Sequence, residues 1–350
     1  MVTTVGAFFA LFAAVFTLMV GVGLLGTFLS LRTVIAGFAT QTTGLIMASY
    51  FLGMSLGHFL GPRLVERVGH IRAYAAFAAI VAAAALGHGL IQNPLTWAVL
   101  RFASGIAMFG LYMVIESWLN ECTQPELRGR IFSVYMVLSY FGMACGQMLL
   151  NVGDIRSGQL FMVAGILFVL SLIPVSVTRS VYPKMPTISR LNLLDLIRQA
   201  PVGMIGCLTA GLVNSAFYSM GPVFCTRIGL TVPQTSWFMM TTIIGGLSLQ
   251  WPMGAISDRF DRPFVLSILG AALAIMSIAI QLTTSHAFVL LLAVMALYGG
   301  LSFAIYPVSV ARAHDLFEPS EIVAVSSALI FCYGLGACLG PVAASTSNRS

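Results

Sequence analysis

At 350 residues, 59% hydrophobic and only 8% charged, the chain is too apolar to fold as a water-soluble domain, which carries about 25% charged residues. A mean hydropathy of +0.96 makes the bilayer its solvent. The net charge of +6 is scattered between apolar segments rather than gathered on one face, so it reads as a topological bias and excludes a nucleic-acid surface.

Met1-Val-Thr-Thr-Val-Gly6 enters an apolar run without a basic stretch before it, and no small-residue cleavage site ends that run near Ser30. It reads as a retained first span rather than a signal peptide. Eleven runs are long enough to cross a membrane: about 5–30, 41–61, 71–91, 95–119, 130–152, 158–178, 201–225, 233–253, 264–284, 287–311 and 321–344. Runs of this length fit helices, whereas barrel strands alternate over about ten residues. The expected fold is therefore all-α and polytopic. Twelve basic residues fall in the links on one side of the spans and four (Arg32, Arg156, Arg227, Arg349) on the other, with Arg101 inside a span. The positive-inside rule then places the N-terminus in the cytoplasm and the protein, multi-pass, in the inner (plasma) membrane.

The longest polar link, 179–200, contains Pro183 and Pro186 and then Ser189-Arg-Leu-Asn-Leu-Leu-Asp-Leu-Ile-Arg198, which reads as an amphipathic helix on the inner membrane face. It separates an N-terminal bundle of six spans, 1–178, from a C-terminal bundle of five, 201–350. Symmetry calls for a twelfth span, but after Pro341 the sequence is too short and polar to cross, so the expectation is a truncated version of a longer carrier, with a last helix supplied otherwise as the alternative. The six cysteines form no CxxC pair and have no histidine at ligand spacing, so neither a metal, a disulfide nor another cofactor is implied.

Two links carry most of the remaining information. Gly254-Ala-Ile-Ser-Asp-Arg-Phe-Asp-Arg262 packs two acids and two arginines between two apolar runs, and Gly61-Pro-Arg-Leu-Val-Glu-Arg-Val-Gly-His-Ile-Arg72 occupies the matching place in the first half. Aligning Glu66-Arg67 with Asp258-Arg259 puts the copies 192 residues apart, which implies an internal duplication. Such links can be solvated anchors. Repetition of acid, arginine and turn-former at matched positions favours a conformational role, because contacts of this kind can form in one state and break in another.

These links resemble the G-x-x-x-D-R-x-G-R loop motif of the major facilitator superfamily. The second copy matches at Gly254, Asp258, Arg259 and Arg262, with Asp261 in place of the second glycine. The first matches at Arg67 and Gly69, with Glu66 for the acid and His70 for the last arginine. Arg101-Phe-Ala-Ser-Gly105, in the fourth span, is similar to the family's R-x-x-x-G motif. Glu116-Ser-Trp-Leu-Asn120, Arg128-Gly-Arg130, Gln250-Trp-Pro-Met-Gly254 and Ile305-Tyr-Pro-Val308 resemble a narrower branch, the YcaD-like transporters.

The resemblance implies two pseudo-symmetric bundles rocking about a central site, in a secondary transporter of a small molecule that works by alternating access with protons as coupling ions. It implies no nucleic-acid partner and a monomer in the lipid bilayer. Arg101 would bind substrate or take part in proton coupling. Met108 and Tyr112 share its helix face, and Asn214, Tyr218 and Tyr298 lie on spans seven and ten, which surround the central site in that fold. Glu66, Arg67, Gly69, Gly254, Asp258, Arg259, Asp261 and Arg262 would gate, together with Glu116, Arg128 and Arg130. Glu116 has a structural reading too, as the partner of Arg128 or Arg130. Glu66 would face the start of span eleven near Pro319, and Asp258 the start of span five near Gly129. Gly142 with Gly146, and Gly336 with Gly340, are spaced for close helix packing. His58, His88 and Gln147 remain unassigned. An intramembrane enzyme would need paired catalytic groups at membrane depth, and the sequence offers none. A sensor or scaffold that keeps the transporter fold without transport is the alternative.

Overall fold

The computed structural model describes residues 2–177, 198–284, 287–318 and 321–346. Each of the eleven expected spans coincides with helix. In chain order these are α1 (Val2–Ile35), α2 (Thr40–Val68), α3 (His70–Leu90), α4 (Pro94–Cys122) and α5 (Arg128–Met148). The sixth span is split at Ser171 into α6 (Gln159–Leu170) and α7 (Leu172–Val177). There follow α8 (Pro201–Arg227), α9 (Val232–Ser257), α10 (Arg262–Thr283), α11 (Phe288–His314) and α12 (Ile322–Thr346). Ten spans are apolar and long enough to cross a membrane among the described residues. At 26 residues α9 has the length, but Gln234, Thr235, Ser236, Thr241, Thr242, Ser248 and Gln250 dilute its hydropathy. The proposed amphipathic segment lies outside the described residues except for Arg198, as does Pro319 at the expected start of span eleven.

The chain divides into two compact units, Met1–Pro186 and Thr187–Ser350. In the first, α1 packs on α5 and α2 on α4, with α3 against α4 and α6. In the second, α8 packs on α12 and α9 on α11, with α10 against α11. First-with-fifth and second-with-fourth pairing thus recurs in each half, as an internal duplication requires.

One contact recurs in all four of these pairs. A Cβ on Gly53 would collide with the Phe102 carbonyl oxygen, and one on Gly105 with that of Tyr50. The same reciprocity links Gly23 to Met143 and Gly146 to Val20 between α1 and α5. It links Gly211 to Tyr333 and Gly336 to Leu208 between α8 and α12, and Gly245 to Ala296 and Gly299 to Thr242 between α9 and α11. In every case each helix offers a carbonyl at one position and a glycine three residues later. Water cannot drive helices together inside lipid, so close backbone approach must supply much of the cohesion. Each Cα–H to carbonyl contact contributes about 0.5–1 kcal/mol. The glycine spacing at Gly142/Gly146 and Gly336/Gly340 belongs to two of these seams, since position 142 abuts the Phe16 carbonyl and position 340 that of Leu212.

The links are short because the caps are local. Gly69 is the single residue between α2 and α3, with φ 82°, and its N–H donates to the Val65 carbonyl at 2.8 Å. An L side chain there would be strained. At the matching place in the second half Asp261 has φ −59° and caps α10, its carboxylate accepting from the Phe264 N–H at 3.4 Å. The departure from glycine at position 261 is therefore an alternative way to start the next helix.

A Cβ on Gly105 has nowhere to go, whereas one on the exposed Gly270 of α10 meets nothing within 4 Å. Gly105→Ala should destabilise the protein by about 1–3 kcal/mol through overpacking. Gly270→Ala should be neutral or stabilising by up to about 1 kcal/mol. Thermal unfolding of both variants in detergent checks the contrast, and equal shifts would contradict the seam.

Candidate functional site

In the first unit the polar centre is Arg101. Asn93 caps α4 by accepting from the Leu95 and Thr96 N–H groups, and Pro94 starts the helix, so Arg101 lies two turns inside the span. The residue is only 7% exposed. Its guanidinium carbon lies 4.2 Å from the centroid of the Tyr50 ring on α2, a cation–π contact. Its Nε is buried without a hydrogen-bond partner. Among the described residues no carboxylate lies within ion-pair distance of it.

Behind Arg101, His88 of α3 is fully buried, with Nδ1 on the Ala84 carbonyl at 2.5 Å and Nε2 unpartnered. Its ring stacks on Phe161 at 5.9 Å and meets Trp97 edge-on at 5.6 Å. The Trp97 indole N–H donates to the Ile91 carbonyl at 2.6 Å, which closes this end of the helix cluster. Gln147, also unassigned from sequence, donates from Nε2 to the Gly23 carbonyl at 3.0 Å and so ties α5 to α1. His58 packs its ring edge-on against Phe109 at 5.6 Å.

Lower on α4 the predicted residues diverge. Met108 is buried at 1% exposure and serves as core. The Tyr112 hydroxyl reaches Met19 Sδ at 3.8 Å. Glu116 accepts a hydrogen bond from the Tyr135 hydroxyl of α5 at 3.3 Å. Neither Arg128 nor Arg130 pairs with it within 4.0 Å, so the expected arginine partner is replaced by a phenol. The reason is local: α5 begins at Arg128, which leaves both arginines exposed in its first turn while Tyr135 is turned inward, two helical turns further on.

In the second unit Asn214 is 7% exposed and lies beside the Tyr333 side chain of α12, while its Oδ1 is buried without a partner. Tyr333 meets Tyr306 of α11 edge-on at 5.1 Å. Asn214, Tyr306 and Tyr333 thus form one polar cluster across three helices. Tyr218 instead lies 5.9 Å from Phe303, and Tyr298 lies 6.3 Å from Phe217.

At the links, Arg262 bridges two acids. Its Nη2 is 3.0 Å from Asp258 Oδ1 and its Nε 3.3 Å from Asp315 Oδ2, just past the end of α11. Position 70, the counterpart of Arg262, holds a histidine whose Nε2 lies 3.2 Å from Ser117 Oγ on α4. The two copies thus make the same cross-link to the fourth helix of their half, one between an arginine and a carboxylate and one between an imidazole and a hydroxyl. Glu66, Arg67 and Arg259 are exposed. A Cβ on Gly254 would meet nothing within 4 Å, so packing does not require that glycine.

Sequence reading missed Asp315, Tyr50, Tyr135 and Tyr333. Asp315 carried a usable signal, being an acid directly after Arg312-Ala-His314 at a span's end. The three tyrosines carried none, because their partners are distant in sequence. Among the described residues no three His, Cys, Asp or Glu side chains converge as a metal site.

A helical bundle duplicated in this way, with one buried arginine in the fourth span and paired loop motifs, defines a polytopic transport protein. The sequence profile of the Major Facilitator Superfamily matches residues 11–341, and the chain belongs to that family. It is similar to the uncharacterized MFS-type transporter YcaD of Salmonella heidelberg (strain SL476), 29% identical over 330 residues, 93% of this chain and 84% of the relative. The same figures hold for YcaD of Salmonella agona (strain SL483). Among solved structures it resembles the nucleoside transporter NupG, with a TM-score of 0.80 at 13% identity over 99% of this chain and 91% of that one. A D-xylose-proton symporter gives 0.77 at 17% identity over 99% and 90%. At such identities these structures show the fold alone.

The ionic cross-link yields a measurable coupling. Arg262 and Asp315 side chains are 20% and 44% exposed, and Asp258 is 69% exposed. A double-mutant cycle with Arg262→Gln and Asp315→Asn should return about 0.5–1 kcal/mol, and the cycle with Asp258→Asn less. Unfolding in detergent reads both, and a larger value for Asp258 would reverse the assignment.

Proposed function

We propose that the chain is a secondary active transporter for a small molecule bearing an anionic group, working by alternating access and coupled to protons. The observation that supports it is Arg101. A guanidinium inside a membrane span is costly unless it faces a partner or a water-filled path. This one has a ring beneath it, an unpartnered Nε and no described carboxylate beside it. An anionic group on the cargo would supply the missing partner through charge-assisted hydrogen bonds.

Glu116 is the coupling group in this reading. It is the one carboxylate, among described residues, that lies within a helix more than a turn from the helix end, and its hydrogen bond comes from a neutral phenol. The paired links would act as conformational latches, with Glu66, Arg67 and Gly69 in one half and Gly254, Asp258, Arg259, Asp261 and Arg262 in the other. Arg128 and Arg130 stand at the start of α5. The basic-residue bias supports a cytoplasmic side for these links and the N-terminus, in an inner membrane.

A thermal-unfolding screen of the purified chain against organic anions, sugars, amino acids and lipophilic drugs tests the reading. A bound ligand at a hundred times its dissociation constant should add about 2.7 kcal/mol. The stabilising ligand should be anionic, and Arg101→Ala should abolish the shift. Arg101→Lys should restore it poorly, because the planar guanidinium stacked on Tyr50 is lost. A shift by a neutral ligand that survives Arg101→Ala would sink the assignment. For coupling, Glu116→Gln should leave ligand exchange intact while making uptake into proteoliposomes indifferent to a pH gradient. Asp258→Asn should alter the balance of accessibility to labelling from the two sides.

A further inference from the structure

Two sulfur atoms meet between α8 and α12, away from Arg101 and the links, and a third lies in the same buried cluster. Cys332 Sγ of α12 lies 3.8 Å from Met204 Sδ of α8. Cys207 is three residues after Met204 on the same helix, hence on the same face, and is fully buried in the same cluster. Met204 is 6% and Cys332 7% exposed, and Ala200, Ala313, Val325 and Leu329 complete the wall. We infer that this trio is a binding site for a soft monovalent metal ion, Ag+ or Cu+, independent of the transport reading.

Three features carry the inference. First, metal–sulfur bonds of about 2.3 Å in a planar three-coordinate arrangement place the sulfurs about 4 Å apart, which the observed Sγ–Sδ separation already nearly meets. Second, the donors are preorganised. The reciprocal seam of Gly211 on Tyr333 and Gly336 on Leu208 begins one residue after each cysteine, so α8 and α12 are held at fixed spacing there. Third, the donor set selects the ion. Two thiols and a thioether with no described His, Asp or Glu completing them offer a poor site for zinc and a good one for a soft d10 cation.

The apolar wall sets the charge of the complex. A neutral assembly is favoured over a charged one there. One thiol therefore loses its proton to water as the metal–thiolate bond forms, while the second thiol and the thioether donate lone pairs. The ion's single positive charge is balanced by the single thiolate, and one proton is released for each ion bound.

The test uses Ag+ with the purified full-length chain in detergent. Bound silver after equilibrium dialysis should approach about one ion per chain, and silver should protect both Cys207 and Cys332 from alkylation, read by peptide mass. A variant with Cys122, Cys145, Cys225 and Cys338 replaced by serine should keep this ion. Adding Cys332→Ala should lose it, and Met204→Leu, which conserves volume, should weaken binding about tenfold or more. Alkylation protection in the unaltered chain keeps the test decisive should Cys332→Ala fail to fold. Silver that binds without protecting these two cysteines, or that persists in Cys207→Ala/Cys332→Ala, overturns the proposal.

Discussion

Backbone touching backbone at paired glycines is the constraint on which the rest of this molecule depends. Within lipid, two apolar helices gain nothing by hiding from their surroundings, because the surroundings are equally apolar. Only approach closer than a side chain allows makes one neighbour better than another. The four seams, Gly23/Gly146, Gly53/Gly105, Gly211/Gly336 and Gly245/Gly299, provide that approach. Each is reciprocal, so it fixes both the spacing and the axial register of its helix pair. A shift by one residue would put Ser104 or Ile106 where Gly105 must be.

Register in turn decides what the polar residues can do. Tyr50 accepts the Cα of Gly105 at its carbonyl and offers its ring to Arg101, one turn earlier on the same helix. The seam that joins α2 to α4 therefore also positions the aromatic face under the guanidinium. The second half repeats the arrangement: Tyr333 offers its carbonyl to the Gly211 seam and its side chain to Asn214. In both halves a tyrosine at the seam is the support of a buried polar side chain on the partner helix.

Much of this was legible in the sequence, for physical reasons that differ from residue to residue. Spans are legible because hydrocarbon thickness imposes a length on apolar runs. The duplicated links are legible because charge is rare enough in this chain that its recurrence 192 residues on stands out. Arg101 is legible for the same reason. Its counterpart Tyr50 is not, since ten tyrosines in the chain look alike until helices are paired. Seams were half legible: glycines four apart on one helix, such as Gly142 and Gly146, can be read, but the reciprocal glycine on the partner, Gly23, cannot be assigned to them without the fold. Glu116 shows the limit most plainly. Proximity in sequence favoured Arg128 and Arg130, and helix geometry sent Tyr135 instead.

The two loop copies show how far a duplicated framework can be kept while its chemistry changes. Position 69 is a glycine at φ 82° and position 261 an aspartate cap, yet each starts the following helix at the same place in its half. Position 262 is an arginine in an ion pair with Asp315, and position 70 a histidine on the Ser117 hydroxyl. A partly exposed ion pair weakens as salt screens it. Because the seams hold each half's helices independently of these links, such divergence carries no penalty for the fold. The links are free to differ because the glycines are not.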